Sequence, residues 1–411
     1  TSAHVIVVSR CVPEIGLSRL RLEGDLLEIG VGPLAFTELE ARDLLLRAGF
    51  EAAEIDCGVI VEKTGGWSAA LRLLCAAGFD GVEDAILWDR MEAMLFSYLD
   101  EELLSEMPDD EASFFVGASH LGEFCVSQVA FCLEIDEANA IAGIDRLVKD
   151  GLVQPEGFLP NGEMRYQCRQ LLSDVVSRHS RLRCARGRAE TLARASVWAE
   201  ENAMFGAAFD CAEATRDWDR MGALVMRHWR DLYERDNLAL LRAWIGRIPN
   251  RYVESHPGLC IVEALPLALA GERECAYSRL RIAKNGLRED GDYLQALYYT
   301  VHGLVSSVLG EVGESCESSK RALELLDLQE SLLRAMAQQV LGGALALENP
   351  SASIMAFEQA SVESSKAGLP MSLCSALSNL ASLCSLVGRY EEAVAWADRA
   401  KAVFPLVEHE S

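Results

Sequence analysis

Four alanines, Ala283, Ala322, Ala360 and Ala400, recur 39, 38 and 40 residues apart, each late in an apolar-periodic segment that follows a turn. A period near 39 residues accommodates two helices of about four turns each and two tight turns, so the C-terminal part of the chain reads as a stack of helical hairpins. The register can be checked inside each unit. Gly271, Gly310 and Gly388 fall between the two predicted helices, and Glu348-Asn349-Pro350 takes that place in the third unit; such residues tolerate or force a helix end. Small residues recur where paired helices must approach closely: Ala264, Gly303, Gly342 and Ala381 on the first helix, Ala276, Ser315, Ser353 and Ala393 on the second. The third unit contains a one-residue slip, its first helix aligning with a turn at Asn349 and its second with one at Glu348.

With 411 residues, half of them apolar, the chain has material for two or three domains with substantial cores. The longest apolar run of the repeat region, residues 259–270, is interrupted by Glu263 and Pro266, so no membrane segment is expected. The N-terminal residues Thr1 to Val5 show neither an initiator Met nor a basic leader, and the chain reads as a piece of something longer. Thirteen cysteines without a CxxC pair argue for reduced thiols in a cytoplasmic protein, with Cys260, Cys275, Cys374 and Cys384 serving as small core residues. The net charge of −25 disfavours contact with nucleic acid, because counterion release needs a basic face. The basic stretch 178–188 reads as a solvated or salt-bridged helix face in preference to a phosphate-contacting surface. His4, His120, His179, His228, His256, His302 and His409 are dispersed, without nucleophile or metal-ligand spacing, so neither an enzyme nor a metal site is expected.

Towards the N-terminus, residues 4–8 have the pattern of a buried strand that requires sheet partners, either upstream or from residues 26–29. Thr37 and Glu40 make a capping box opening a helix over 37–48; helices over 52–62 and 67–77 follow, separated by Gly65-Gly66. Beyond amphipathic segments at 91–99 and 110–118, a helix at 126–133, a turn at Glu134-Ile135, a helix at 136–149 and strand-like pieces at 152–154 and 164–167 together predict a winged helix. Its second helix carries more acid than base, which suits an interdomain role better than reading DNA.

Several stretches together resemble the MalT-like large regulators of the LuxR class, members of the signal-transduction ATPases with numerous domains. Ser9-Arg10 with Pro13 and residues 19–29 are similar to that family's last nucleotide-domain strand and the segment after it; residues 34–41 and 64–71 resemble its next helical module. Residues 208–214 with Asp217-Trp218 look like the arm, and the period-39 units, the last of which (375–400) resembles a tetratricopeptide repeat, look like the sensor superhelix. The resemblance implies a mainly α fold: a small β-containing remnant of an ATPase domain (1–35), a small helical domain (36–90), a winged-helix domain (91–185), a helical arm (186–250) and a tetratricopeptide-like right-handed α-superhelix (251–411). It also implies a parent that binds ATP or ADP, self-associates and binds promoters through a C-terminal helix-turn-helix.

This chain has no GxxxxGK[ST] phosphate cradle and no recognisable DNA-binding helix after Phe404, so the segment itself is expected neither to hold a cofactor nor to hydrolyse ATP. Two positions carry over from the family. Arg10 matches a strand-end arginine that senses nucleotide phosphate, a salt bridge being its structural alternative. Arg169, in Tyr166-Gln167-Cys168-Arg169-Gln170-Leu171-Leu172, replaces a histidine that contacts ADP in the family, which puts an ADP-locked resting state in doubt.

In such a superhelix the first helix of each pair lines the concave face. The corresponding positions are Ser375, Ser378, Asn379, Ser382 and Ser385 in the final unit, Thr300 and Ser307 two units earlier, and Gln338 with Gln339 between. Hydroxyls and amides without charge suit a small polar effector or a peptide; the same small residues would also permit tight curvature. Trp198, Trp218 and Trp229 stand at packing positions. The leading expectation is a sensor and signal-coupling region, and the alternative is a tetratricopeptide-type protein-interaction scaffold.

Overall fold

The computed structural model describes residues 5–8, 19–20, 22, 24–27, 29, 34–50, 56–77, 84–98, 101, 104, 107–159, 161–168, 172–173, 176, 187–287 and 292–410. They are mainly helical and fall into two units, Thr1–Thr215 and Arg216–Ser411.

The first unit begins with α1 (Glu38–Arg47), α2 (Cys57–Thr64), α3 (Ser68–Ala77) and α4 (Asp84–Tyr98). The predicted capping box forms: Thr37 Oγ1 accepts from the Glu40 amide while the Glu40 carboxylate accepts from the Thr37 amide at 2.9 Å. Next come α5 (Asp109–Leu121), β1 (Glu123–Phe124), α6 (Val126–Leu133), α7 (Glu137–Lys149), β2 (Val153–Phe158) and β3 (Met164–Cys168). The turn between α6 and α7 holds Glu134 in the left-handed region at φ 54°, after which Asp136 caps α7 through the Asn139 amide at 2.7 Å. The three strands make an antiparallel sheet of order β1-β3-β2. Leu45, Leu71, Met91, Phe115, Phe124, Ile144 and Leu147 join one core that runs from α1 to the sheet. The unit closes with α8 (Arg188–Glu201) and α9 (Phe205–Ala214), where Ser196 Oγ donates to the Ala208 carbonyl at 2.8 Å.

The expected N-terminal strand does not form. Residues 5–8 have no ladder partner, and Ile6 and Val8 are almost fully exposed; Leu27 and Ile29, proposed as their partner strand, are exposed as well. A lone β-branched segment cannot satisfy its backbone groups, and nothing among the described residues pairs with it.

In the second unit α10 (Trp218–Glu234), α11 (Leu238–Arg247) and α12 (Asn250–Ser255) precede four helical pairs. The pairs are α13 (Pro257–Leu269) with α14 (Arg273–Gly286), α15 (Asp292–Leu309) with α16 (Val312–Leu325), α17 (Ser331–Leu345) with α18 (Pro350–Ala367), and α19 (Pro370–Leu386) with α20 (Tyr390–Glu410). Gly271, Gly310 and Gly388 stand in the intra-pair turns at φ near +80°, a conformation only glycine adopts without strain. In the third pair Asn349 caps α18 through the Ala352 amide and Pro350 opens it, which replaces the glycine turn.

The recurring small residues are where the helices meet. Ser315 Oγ donates to the Gly303 carbonyl at 2.9 Å, and Ser353 Oγ to the Gly342 carbonyl at 2.5 Å, so two successive pairs carry the same interhelix hydrogen bond. Ala283, Ala322 and Ala360 are fully buried. Successive first helices pack on one another, while successive second helices make at most slight contact among the described residues. The stack therefore curves towards its first-helix side. Of the cysteines expected in the core, Cys260 and Cys384 are fully buried and Cys374 half-buried; Cys275 is exposed, because it lies on the outer face of α14. Trp198 and Trp229 are buried and Trp218 half-buried. No helix among the described residues is long and apolar enough to cross a membrane.

Candidate functional site

The first-helix face of the second unit is a candidate surface, and α19 is its most open part. Between Pro370 and Leu386 it has no Asp, Glu, Lys, Arg or His. Ala376, Leu377, Leu380, Leu383 and Cys384 turn into the core, which leaves Ser378, Asn379, Ser382 and Ser385 exposed along one stripe and Ser375 half-buried beside it. Ser382 Oγ donates to the Ser378 carbonyl at 2.9 Å, a bond within its own helix that a ligand acceptor can replace. On α17, Gln338 is half-buried and Gln339 Nε2 donates to the Ser372 carbonyl at 3.2 Å, tying two first helices together.

The stripe is not uniform along the stack. Ser307 is half-buried, but Thr300 is 1 % exposed and its hydroxyl donates to the Ala296 carbonyl at 2.8 Å, so it offers nothing to an open surface. α15 lies between two other pairs, whereas among the described residues no further pair stacks on α19, and the same repeat position is therefore covered in one and open in the other. Arg10 and Arg169 lie outside the described residues.

Sequence reasoning missed an apolar row. Leu269, Val308, Leu347 and Leu386 are spaced by 39 residues at the ends of the four first helices; Leu269, Leu347 and Leu386 are exposed by 51 %, 92 % and 78 % and Val308 partly. The period that placed the alanines would have located it, had exposed as well as buried positions been followed.

Sequence reasoning also missed the part played by α10, whose face against α13 is buried. Met226 lies against Gly258, where a Cβ would stand 2.9 Å from the Met226 methyl. The Arg230 guanidinium lies 5.2 Å from the Tyr293 ring centroid and pairs with Glu330 at 2.8 Å. The Glu234 carboxylate accepts from the Ser372 hydroxyl and amide at the start of α19.

A second concavity, of about 360 Å³, lies where the 245–249 segment passes over Glu263 and Arg279. Arg279 Nη2 donates to Asn250 Oδ1 at 2.6 Å and to Glu263 Oε1 at 3.2 Å; its Nε is 2.7 Å from Glu263 Oε2, an ion-pair contact without hydrogen-bond alignment. Burial raises the Glu263 pKa and Arg279 opposes it. Arg279 already counters the charge of the carboxylate, so this cleft is a structural ion pair. Between α14, α15 and α16, Tyr277, Tyr298 and His302 cluster, with His302 Nδ1 3.0 Å from Ser318 Oγ; burial lowers the His302 pKa.

No family model matches the chain. Among solved structures it is similar to a Signal Transduction ATPase with Numerous Domains (STAND) protein with a tetratricopeptide repeat sensor from Pyrococcus horikoshii, with a TM-score of 0.50 and 14 % identity. The match covers 91 % of this chain and 61 % of that one, so the chain spans less than two thirds of the protein it resembles. At this identity the likeness is one of fold, a helical architecture shared with a protein that bears a tetratricopeptide repeat sensor.

Proposed function

We propose that this chain is the sensor and signal-coupling region of a cytoplasmic transcription regulator of the MalT-like LuxR class, taking an effector on the first-helix face of its repeats. The observation that carries this reading is the uncharged, exposed hydroxyl and amide stripe of α19 in a stack whose fold resembles a protein with a repeat sensor. Such a surface suits a neutral polar metabolite or a peptide. The order α5-β1-α6-α7-β2-β3, with its β1-β3-β2 sheet, supports reading residues 91–185 as a winged helix that couples the sensor to an upstream ATPase domain. Arg10 and Arg169 would contact nucleotide phosphate only in the full-length parent, to which ATP or ADP binding, self-association and promoter binding belong. On this reading the segment is not itself an enzyme and touches neither nucleic acid nor membrane. Coupling would rest on a difference in effector affinity between two arrangements of the modules.

The exposed row Leu269, Leu347 and Leu386 favours a second reading, a scaffold that takes an apolar-anchored protein segment. Thermal-shift screening against neutral saccharides, amino acids and short peptides, with ATP and ADP as controls, separates the two. A small-molecule shift abolished by Ser378→Ala with Ser382→Ala supports the sensor. Peptide binding that survives those changes but is lost in Leu347→Ser with Leu386→Ser supports the scaffold. A shift with nucleotide alone would sink both.

A further inference from the structure

The contacts of α10 are spaced by design of the helix. Gly222, Met226, Arg230 and Glu234 are four residues apart and so form one ridge, which winds by about 120° around the helix over about 18 Å of axis. From Met226 onwards each meets a later first helix than the one before. Gly222 packs on Leu259 and Met226 on Gly258 in α13; Arg230 reaches Tyr293 in α15 and Glu330, the cap residue of α17; Glu234 reaches Ser372 in α19. Every one of these partners sits in or at the first turn of a first helix. α10 comes close to the stack at α13 and again at α19, and reaches α15 and α17 between them through the long Arg230 side chain.

We propose that α10 is a clamp that sets the pitch of the repeat stack by holding the N-terminal ends of four successive first helices along one line. Repeat arrays are held only by nearest-neighbour interfaces, so each joint is a soft hinge, and a small rotation per pair sums over the array. A strut that spans all four pairs removes that freedom in a way no pairwise interface can. The two outer links are polar: Arg230 with Glu330, and Glu234 at the positive end of the α19 helix dipole. They can be released without dismantling the apolar seat at α13, which gives the device a closed and a released state. This clamp would act whether or not an effector enters the groove.

The full 411-residue chain carrying Arg230→Ala with Glu234→Ala tests it by hydrogen exchange and by single-molecule energy transfer between dyes on non-canonical residues replacing exposed Arg281 and Asp398. Exchange at the first hydrogen-bonded amides of both α17 and α19, those of Arg334 and Leu373, should rise by about tenfold, the fold-change expected for losing a charge-assisted hydrogen bond. The transfer distribution should shift or broaden, while Asp231→Ala, on the outer face of α10, should leave both readouts unchanged. Glu234→Gln, which keeps an acceptor, should recover part of the protection and serves if the double variant does not fold. Exchange that rises only around Ser372, with superimposable transfer distributions, would reduce Glu234 to a local cap and overturn the clamp.

Discussion

Two adjacent glycines of α17 should respond to the same substitution with opposite signs. Both are helical and lose conformational freedom on folding, so alanine gains about 0.5–1 kcal/mol at either. At Gly343, which is exposed and has nothing within 4 Å of a new Cβ, that gain stands alone, and Gly343→Ala should stabilise the protein by about 0.5–1 kcal/mol. At Gly342 the new Cβ would sit 2.9 Å from three ring carbons of Phe357, a side chain 4 % exposed in the core of α17 to α20. The ring has no open side to move into, and overpacking of this kind costs about 1–3 kcal/mol. Forcing α17 and α18 apart also weakens the Ser353 bond to the Gly342 carbonyl, worth about 1 kcal/mol. Net of the helix gain, Gly342→Ala should destabilise by about 1–3 kcal/mol. Urea unfolding followed by circular dichroism, with the repeat unit's transition compared between the two variants, measures the difference. Midpoints that move in the same direction would refute the claim that a close helix approach at Gly342 holds the third pair together.

Two further outcomes are expected. His120 is pushed down to about 4, first by burial and then by Arg188, so the native state favours the neutral ring while the unfolded state protonates near 6.5. Its contribution is intact above pH 6.5 and is lost as pH falls from there to about 4; chemical unfolding of wild type and His120→Gln should therefore converge or cross in that window, and parallel curves would contradict it. Arg194 donates through Nε and Nη2 to the Phe131 carbonyl at 3.2 and 2.8 Å, pairs with Glu134 and lies 5.1 Å from the Phe131 ring centroid, fixing α8 on the end of α6. Arg194→Ala should cost about 1–2 kcal/mol and Arg194→Lys should restore less than half, because an ammonium cannot reproduce the fork; full rescue in thermal unfolding would show that charge alone matters.

Local signals in the sequence placed most of the helices. The capping box at Thr37 and Glu40, the Asp136 cap, the glycines of the intra-pair turns and Asn349-Pro350 are each read within a few residues, and each appears where local chemistry puts it. The repeat period also predicted which small residues meet across a pair, since Ser315 and Ser353 find the Gly303 and Gly342 carbonyls. Local pattern failed where a partner was needed. Residues 5–8 have strand composition but no strand to pair with among the described residues, and Cys275 is as apolar as Cys260 yet faces outward.

The candidate surface was legible only in outline. Ser378 and Thr300 occupy equivalent positions in their units, but one is exposed on the last pair and the other buried between neighbours. The α10 contacts lay further beyond reach, for Glu234 and Ser372 are 138 residues apart and nothing near either announces the other. Periodicity and caps are properties of a few consecutive residues, so the sequence by itself determined the helices, the turns and the repeat. Exposure and long-range pairing depend on which elements stack on which, and the tertiary structure alone decided which hydroxyls remain open and which helix spans the array.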